Sequence, residues 1–117
     1  IRNVKPLAFT DYCRMQCDAA CVISDSGTLS EESSILRFPA VLLRNSTKRP
    51  EVLDKGTIVI GGYTEESLLQ SVDLAINSFD SEDNRPKDYC DSNVSLKVVK
   101  IIQSYTPIIN QFVWNKF

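Results

Sequence analysis

Three short apolar segments alternate with helical sequence through residues 20–77, and this alternation limits the folds open to the chain. The apolar segments are Ala20–Ser24, Pro39–Arg44 and Thr57–Gly61. Nearly continuous apolar runs of this length are typical of parallel strands that are buried on both faces. Parallel neighbours need long crossover connections, and each pair of these segments is separated by such sequence. The pattern therefore predicts an α/β fold in which helices cover both faces of a parallel sheet.

Helices are predicted where apolar residues recur with helical spacing or where a capping residue precedes them. The chain also contains a β-like segment at Val4–Phe9, interrupted by Pro6, and a polar loop at Ser78–Asp91. Pro107 is expected in the first turn of a last, separate helix, because proline is tolerated there. The predicted helical segments are Thr10–Ala19 with Thr10 as its cap, Leu29–Leu36, Val52–Lys55, Thr64–Ile76, Asn93–Ser104 and Pro107–Trp114.

The charge and hydropathy of the chain exclude several classes of partner. The 117 residues carry a net charge of −2, which gives no electrostatic reason to expect nucleic acid or an anionic membrane. No apolar run approaches the roughly 20 residues that span a bilayer. The first residues resemble no secretory signal, so we expect a cytoplasmic protein. Histidine is absent, and with it the commonest general base and metal ligand.

The four cysteines could be reduced thiols, or they could form disulfides or a metal site. Their even number permits two disulfides, and the four-residue spacing of Cys13, Cys17 and Cys21 suggests a zinc site. Zinc sites, however, usually use close pairs in turns, whereas Cys13 and Cys17 lie in a helical pattern and Cys21 begins a strand. We therefore expect four reduced thiols, Cys90 included, and neither a metal nor a cofactor.

A candidate anion site follows the first predicted strand. The turn Asp25–Thr28 leads directly into a helix, whose N-terminus presents unpaired N–H groups and the positive end of its dipole. Ser26 adds a hydroxyl, and Gly27 lets an oxyanion approach the backbone. Glu31 or Glu32, one turn further on, could accept from a sugar's paired hydroxyls. The alternative is a capping box with no ligand.

A second candidate segment follows the next strand. The loop from Arg44 to Glu51 is basic and contains Arg49, whose planar guanidinium suits a diphosphate. Successive parallel strands commonly lie side by side, so we expect this loop near the Ser26 turn. The alternative is a solvated basic loop.

Taken together, these segments resemble the signature of the non-hydrolysing UDP-N-acetylglucosamine 2-epimerases. That signature is a D-S-G-G/T-x-x-E-E turn and helix, a strand, and an R-x-x-x-x-R-P-E loop, matched by residues 25–32 and 44–51. Pro6–Tyr12 matches the family as well. The resemblance implies a three-layer, Rossmann-like parallel sheet with flanking helices. This would be the second half of the C-terminal domain of a two-domain, glycosyltransferase-B-type fold. It assigns residues 1–91 to the UDP-binding part and residues 92–117 to C-terminal helices that pack on it.

The resemblance also implies a UDP site. Tyr12 would stack on uracil, the backbone near Leu7 would contact the base edge, and Glu32 would accept from the ribose hydroxyls. The turn of Ser26, Gly27 and Thr28 would bind the diphosphate. Arg49 would face the diphosphate or the sugar.

The function implied by the resemblance is reversible epimerisation at C2 of a UDP-2-acetamido sugar, by elimination and re-addition of UDP. The family's acid–base carboxylates and histidine lie in an N-terminal domain, so the resemblance implies no catalytic residue here and an inactive isolated chain. Its partners would be UDP or a UDP-linked amino sugar, that N-terminal domain, and a second copy in a homodimer. Thr28 and Ser30 resemble the branch of the N-acetylfucosamine pathway, which acts on 6-deoxy sugars.

Two other functions stay open from the sequence. One is a nucleotide-sugar-binding module without chemistry, and the other is the nucleotide domain of a glycosyltransferase. The Arg49-Pro50-Glu51 motif argues against the second. Lys48 departs from the acidic residue usual before that motif, which affects the sugar side of the site.

Overall fold

A three-stranded parallel sheet forms the centre of the computed structural model, which describes residues 1–80, 82 and 84–116. Strands β1 (Val22–Ser24), β2 (Ala40–Leu42) and β3 (Val59–Ile60) lie in the order β1-β2-β3. Ile23 lies opposite Val41, which in turn lies opposite Val59. The predicted α/β class and common strand direction are confirmed. The strands are shorter than predicted, although backbone hydrogen bonds from Leu43 and Gly61 continue the pairing beyond them.

The helices lie close to the predicted positions within the described residues. Thr64, predicted as the first residue of the fourth helix, is its cap, since the Thr64 hydroxyl accepts from the N–H of Ser67 at 3.2 Å. The cap predicted at Thr10 is wrong, because the first helix already begins at Phe9 and Ala8 precedes it without a side-chain cap. The helices are α1 (Phe9–Asp18), α2 (Leu29–Leu36), α3 (Pro50–Asp54), α4 (Glu65–Asn77) and α5 (Val94–Phe112).

Helices pack on both faces of β2, and this produces the three predicted layers. Ala40 and Leu42 point to one face, where they share a buried cluster with residues of α2 and α3. Val41 points to the opposite face, toward Leu68 of α4, because successive strand residues alternate. The buried cluster consists of Leu29, Phe38, Ala40, Leu42, Val52 and Ile58.

Two glycines after β3 bring its following loop against the loop after β2. A Cβ at Gly61 would lie 2.6 Å from Cγ1 of Val41, so only glycine fits without displacement. Gly62 has a φ of +67°, a backbone conformation that favours glycine. Its N–H donates to the carbonyl of Arg44 at 3.1 Å. This bond fixes the start of the basic loop at the carboxyl edge of the sheet.

The β-like segment predicted at Val4–Phe9 is wrong. Residues 1–8 have no regular secondary structure and are exposed, and Phe9 already belongs to α1. Pro6 has no N–H to donate to a ladder, and no described strand lies beside the segment to pair with it.

A single helix, α5, replaces the two predicted C-terminal helices, so that prediction is also wrong. Pro107 lies inside α5 rather than at the start of a new helix. The apolar stripe continues across the proline at four- and three-residue intervals, which favours one uninterrupted helix over a break. The stripe consists of Val94, Val98, Ile101, Tyr105, Ile108 and Phe112.

The division of the chain into a UDP-binding part, residues 1–91, and C-terminal helices that pack on it, residues 92–117, stays a prediction. No residue of α5 is buried, and each residue of its apolar stripe is at least 47% exposed. The radius of gyration is 18.8 Å, compared with about 13 Å for a compact domain of this length. The apolar stripe of α5 is therefore without a partner among the described residues.

The described residues of the predicted polar loop, Ser78–Asp91, include a short 3-10 turn at Lys87–Tyr89. Tyr89 packs against the buried cluster between α2 and α3. Ser81 and Asp83 lie outside the described residues. No helix in the part of the chain that the structure describes is long and apolar enough to span a membrane.

Candidate functional site

The turn between β1 and α2 is held by its own hydroxyl groups. The N–H of Ser26 donates to Oγ of Ser24 at 3.0 Å, and Oγ of Ser26 lies 2.9 Å from Oγ1 of Thr28. Thr28 occupies the N-cap of α2, yet its side chain makes no capping hydrogen bond. Glu31, which a capping box would turn back toward the cap, bonds elsewhere. The capping-box alternative is therefore not what this turn forms.

Gly27 opens onto a cleft at the carboxyl edge of the sheet. A Cβ built at Gly27 would meet no atom within 4 Å, so its absence relieves no contact inside the chain. The cleft measures about 250 Å³. Its floor is the end of β2 and its far wall is the basic loop. The lining residues are Gly27, Ser30, Leu42, Arg44, Thr47, Lys48 and Arg49.

Arg49 forms an ion pair with Glu31 of α2, and the loop that contains Arg49 is polar and partly exposed. Its Nε donates to Oε1 of Glu31, and this hydrogen bond raises the pKa of the guanidinium. Its backbone N–H donates to Oγ1 of Thr47 at 3.0 Å. The side chain of Arg49 keeps 41% of its surface exposed. A cation is thus fixed beside the Ser26 turn while it stays accessible to a ligand.

Tyr12 and Glu32 meet across α1 and α2 together with Gln16. The Tyr12 hydroxyl donates to Oε2 of Glu32 at 3.0 Å, and Nε2 of Gln16 donates to the same oxygen at 2.7 Å. Nε2 of Gln16 also donates to the Tyr12 hydroxyl at 2.9 Å. Burial and the hydrogen bond to Glu32 raise the pKa of Tyr12. The aromatic ring of Tyr12 and the carboxylate of Glu32 are therefore joined near the N-terminus of α2.

A second tyrosine–carboxylate pair, Tyr89 and Glu51, lies at the end of the basic loop. The Tyr89 hydroxyl donates to Oε1 of Glu51 at 2.7 Å. This bond lowers the pKa of Glu51. Burial, followed by the bond to Glu51, raises the pKa of Tyr89. Since Glu51 is the second residue of α3, directly after Arg49 and Pro50, the pair anchors the helix that follows the basic loop.

The family described as UDP-N-acetylglucosamine 2-epimerase matches residues 1–103. The chain belongs to this epimerase family. A UDP-N-acetylglucosamine 2-epimerase of Methanocaldococcus jannaschii is 30% identical over 77 residues, which are 66% of this chain and 21% of that protein. Its counterpart in Methanococcus maripaludis is 35% identical over 78 residues, covering 67% of this chain and 21% of that protein.

A solved structure extends the comparison to nearly the whole chain. The structure of UDP-N-acetylglucosamine 2-epimerase from Rickettsia bellii matches with a TM-score of 0.91 and 39% identity. The match covers 98% of this chain and 32% of that one. This epimerase-family chain therefore spans about a third of that structure and about a fifth of the curated relatives above.

The epimerase-family fold brings most of the predicted site residues to one edge of the sheet. Gly27 and Arg49 line one cleft, and Ser26 and Thr28 belong to the turn beside it. The Tyr12–Glu32 pair lies outside the lining of this cleft, about one helical turn after Thr28 along α2. Leu7 differs, because it lies exposed in the irregular segment before α1. The assigned roles of all seven residues stay predictions.

Two contributors to the site of this epimerase-family chain were not predicted from the sequence. Gln16 lies four residues after Tyr12, a spacing at which helical side chains meet, so periodicity alone could have pointed to it. Tyr89 is 38 residues from Glu51 and lies in a polar loop, where no local pattern indicates the contact.

The cysteines take no part in this arrangement. Cys13, Cys17, Cys21 and Cys90 are free thiols, and burial raises the pKa of Cys21. Among residues 1–80, 82 and 84–116, no group of three acidic, cysteine or histidine side chains is arranged to hold a metal.

Proposed function

We propose that this chain is the UDP-binding, C-terminal part of a UDP-N-acetylglucosamine 2-epimerase-like enzyme. The longer enzyme interconverts the C2 epimers of a UDP-2-acetamido sugar by eliminating UDP and adding it back. The observation that carries this proposal is the common cleft of Gly27 and Arg49, together with the Tyr12–Glu32 pair about one turn further along α2. Anion, sugar and base contacts are thereby offered in the order in which UDP carries these groups.

The diphosphate is assigned to the start of α2. The helix N-terminus contributes N–H groups and positive dipole, and the hydroxyls of Ser26 and Thr28 lie beside it. Gly27 leaves open the space that a phosphate oxygen needs. Arg49, already held by Glu31, adds a positive charge across the cleft.

The nucleoside is assigned to α1 and to Glu32 in the first turn of α2. Tyr12 is 36% exposed, and we assign its ring to stacking on uracil, while the backbone near Leu7 contacts the base edge. Glu32 receives both protein donors on Oε2. Its other oxygen, Oε1, accepts from the paired ribose hydroxyls.

Binding and chemistry are linked because UDP is the leaving group of the proposed reaction. Negative charge grows on the diphosphate as the bond to the sugar breaks. Donors that are already oriented toward that position stabilise the transition state without reorganising. Ser26, Thr28 and Arg49 therefore contribute to rate as well as to affinity.

Acid–base chemistry is assigned to a further N-terminal domain of the longer protein. The 117 residues contain no histidine, and we assign no catalytic residue to them. The unpartnered apolar stripe of α5 supports such a domain, because a stripe of this length is normally covered. Free thiols are consistent with a cytoplasmic enzyme. We further propose that the longer protein forms a homodimer.

The sugar itself has two candidates. The first is UDP-N-acetylglucosamine, and the second is a UDP-2-acetamido-6-deoxyhexose of the N-acetylfucosamine pathway. The second is favoured by Thr28 and Ser30, since Ser30 lines the cleft where the family usually carries a longer residue. A non-catalytic nucleotide-sugar-binding module is the remaining alternative.

Titration with UDP tests the proposal, with amide chemical shifts as the readout. We expect weak binding, with a Kd of about 1 mM, because this chain offers one wall of the site. Shifts should cluster at Tyr12, at residues 26–28, at Glu32 and at Arg49. Pyrophosphate should shift only the turn and Arg49, and uridine only Tyr12 and Glu32. Shifts confined to residues 97–100, or none at about 10 mM UDP, would contradict the assignment.

A further inference from the structure

Gln16 reverses the usual polarity of a surface helix. Of the ten residues of α1, all of them described, Gln16 alone is buried, with 3% of its surface exposed. Surface helices normally bury an apolar side chain and expose a polar one. The polar group is therefore the part of α1 that is inserted between the helices, and it contacts Tyr12 and Glu32 there.

The orientation of the Gln16 amide is determined by its neighbours. Nε2 donates to Oε2 of Glu32 at 2.7 Å and to the hydroxyl of Tyr12 at 2.9 Å. The reversed amide would turn its oxygen toward the carboxylate, which offers only acceptors. In the observed orientation Oε1 of Gln16 is buried without a hydrogen-bond partner among the described residues. An unsatisfied buried acceptor lowers stability, so the two donor contacts of Gln16 are made at a cost in stability.

The two donors leave Glu32 with unequal oxygens. Tyr12 and Gln16 both bond to Oε2, and this restricts rotation of the carboxylate plane. Charge-assisted hydrogen bonds of this kind are stronger than neutral ones and impose direction. A carboxylate held through one oxygen presents the other in a constant position, which is the condition for binding a rigid pair of hydroxyls.

We propose that Gln16 is a positioning residue that holds Oε2 of Glu32 and thereby directs Oε1 to the ribose hydroxyls. Gln16 then sets the preference of the site for a ribonucleoside diphosphate over its 2′-deoxy analogue. This inference rests on the proposed UDP site and adds to it a residue that does not itself touch the ligand.

The test compares the affinities of UDP and 2′-deoxy-UDP for the wild-type chain and for Gln16→Met, which keeps side-chain length but has no amide. We expect the wild-type chain to bind UDP about tenfold more tightly than 2′-deoxy-UDP, since one hydrogen bond to a charged group is lost. In Gln16→Met the preference should fall to about twofold while the affinity for 2′-deoxy-UDP is unchanged. Cys17→Ser, at an exposed neighbour on the same helix, should keep the wild-type ratio.

Gln16→Glu provides a readout that a purely structural role would not change. At neutral pH two carboxylates would face each other, and the preference for UDP should be lost. At lower pH one carboxyl takes up a proton and can donate as the amide did, so the preference should return. Both ligands carry the same diphosphate, so its own ionisation cancels from the ratio. Tyr12→Phe should lower the ratio as well, because it removes the second donor to Oε2 of Glu32.

The outcomes separate this inference from the proposed function. Absence of UDP binding by the wild-type chain would overturn both. Wild-type binding with an unchanged ratio in Gln16→Met would overturn the role of Gln16 alone. If Gln16→Met does not fold, an unchanged ratio in Tyr12→Phe together with a pH-independent ratio in Gln16→Glu would overturn that role as well.

Discussion

Glu31 of α2 and Arg49, the residue before α3, form an ion pair through Oε1 and Nε. The side chains are 28% and 41% exposed, so water screens the attraction and the pair adds little to stability. Its effect is geometric, because it fixes the guanidinium at the wall of the cleft. It also places a negative charge beside a proposed anion site. These two effects of Glu31 act in opposite directions on diphosphate binding.

Substitution of Glu31 separates geometry from charge. In Glu31→Gln the amide oxygen can still accept from Arg49, while the negative charge is lost. We expect pyrophosphate to bind about threefold more tightly, and the gain should shrink at high ionic strength. Glu31→Ala loses the acceptor as well and should bind less tightly than Glu31→Gln. Titration by amide shifts measures both variants, and equal affinities for the two would show that the pair does not orient Arg49.

Gly27→Val should abolish UDP binding without affecting the fold. A Cβ at this position meets no atom of the chain within 4 Å, and we expect the free energy of unfolding to change by less than about 1 kcal/mol. The added methyl groups would occupy the space assigned to the diphosphate. Chemical denaturation and UDP titration check the two halves of this prediction. Retained amide shifts at residues 26–28 with about 10 mM UDP would refute it.

Gly61→Ala, in contrast to Gly27→Val, should lower the stability of the fold. Its Cβ would lie 2.6 Å from Cγ1 of Val41, a fully buried side chain in the middle strand. We expect a loss of about 1–3 kcal/mol in the free energy of unfolding, from displacement of the packed neighbour. Gly27→Ala is the matched control and should be close to neutral. Comparable stability of the two alanine variants in urea titrations would argue against the close approach.

Tyr89→Phe should lower stability at neutral pH and lose this effect in acid. The hydrogen bond from Tyr89 lowers the pKa of Glu51 from its usual value of 4.5. A carboxyl group whose pKa is lowered on folding stabilises the folded state at pH values above its unfolded-state pKa. This contribution disappears as the pH falls through the folded-state pKa. The difference in stability between the two proteins should therefore shrink as the pH falls below 4.5 and vanish below the lowered pKa of Glu51. Tyr63→Phe, at an exposed tyrosine, is the control; a difference that persists in acid would contradict the assignment.

The isolated 117-residue chain should not epimerise a UDP-2-acetamido sugar. Binding without an acid and a base positioned at the sugar cannot deliver the proton transfers that the proposed reaction needs. Incubation of purified chain with UDP-N-acetylglucosamine, followed by separation of the C2 epimers, checks this. Turnover that scales with protein concentration and survives repurification would require a catalytic group within these residues.

The contiguous parts of the site could be predicted from the sequence. A strand followed by Asp25–Thr28 and a helix determines a helix N-terminus of the kind that suits an anion, because the backbone geometry of that sequence is local. Neighbouring parallel strands likewise bring the loop of Arg49 to the same edge. The β-like segment at Val4–Phe9 and the break at Pro107 could not be judged locally. The first depends on whether a partner strand exists, and the second on an apolar stripe that continues beyond the proline.

By itself, the sequence determined the α/β class and the common direction of the strands. Apolar runs and crossover lengths leave few other arrangements. Only the tertiary structure decided which partner each of two adjacent carboxylates, Glu31 and Glu32, contacts. Glu31 and Glu32 point about 100° apart around α2, since the helix has about 3.6 residues per turn. Their partners, Arg49 and Tyr12, lie 18 residues later and 20 residues earlier. No local pattern encodes such contacts, because they form only when the packing of α1, α2 and the basic loop sets the distances.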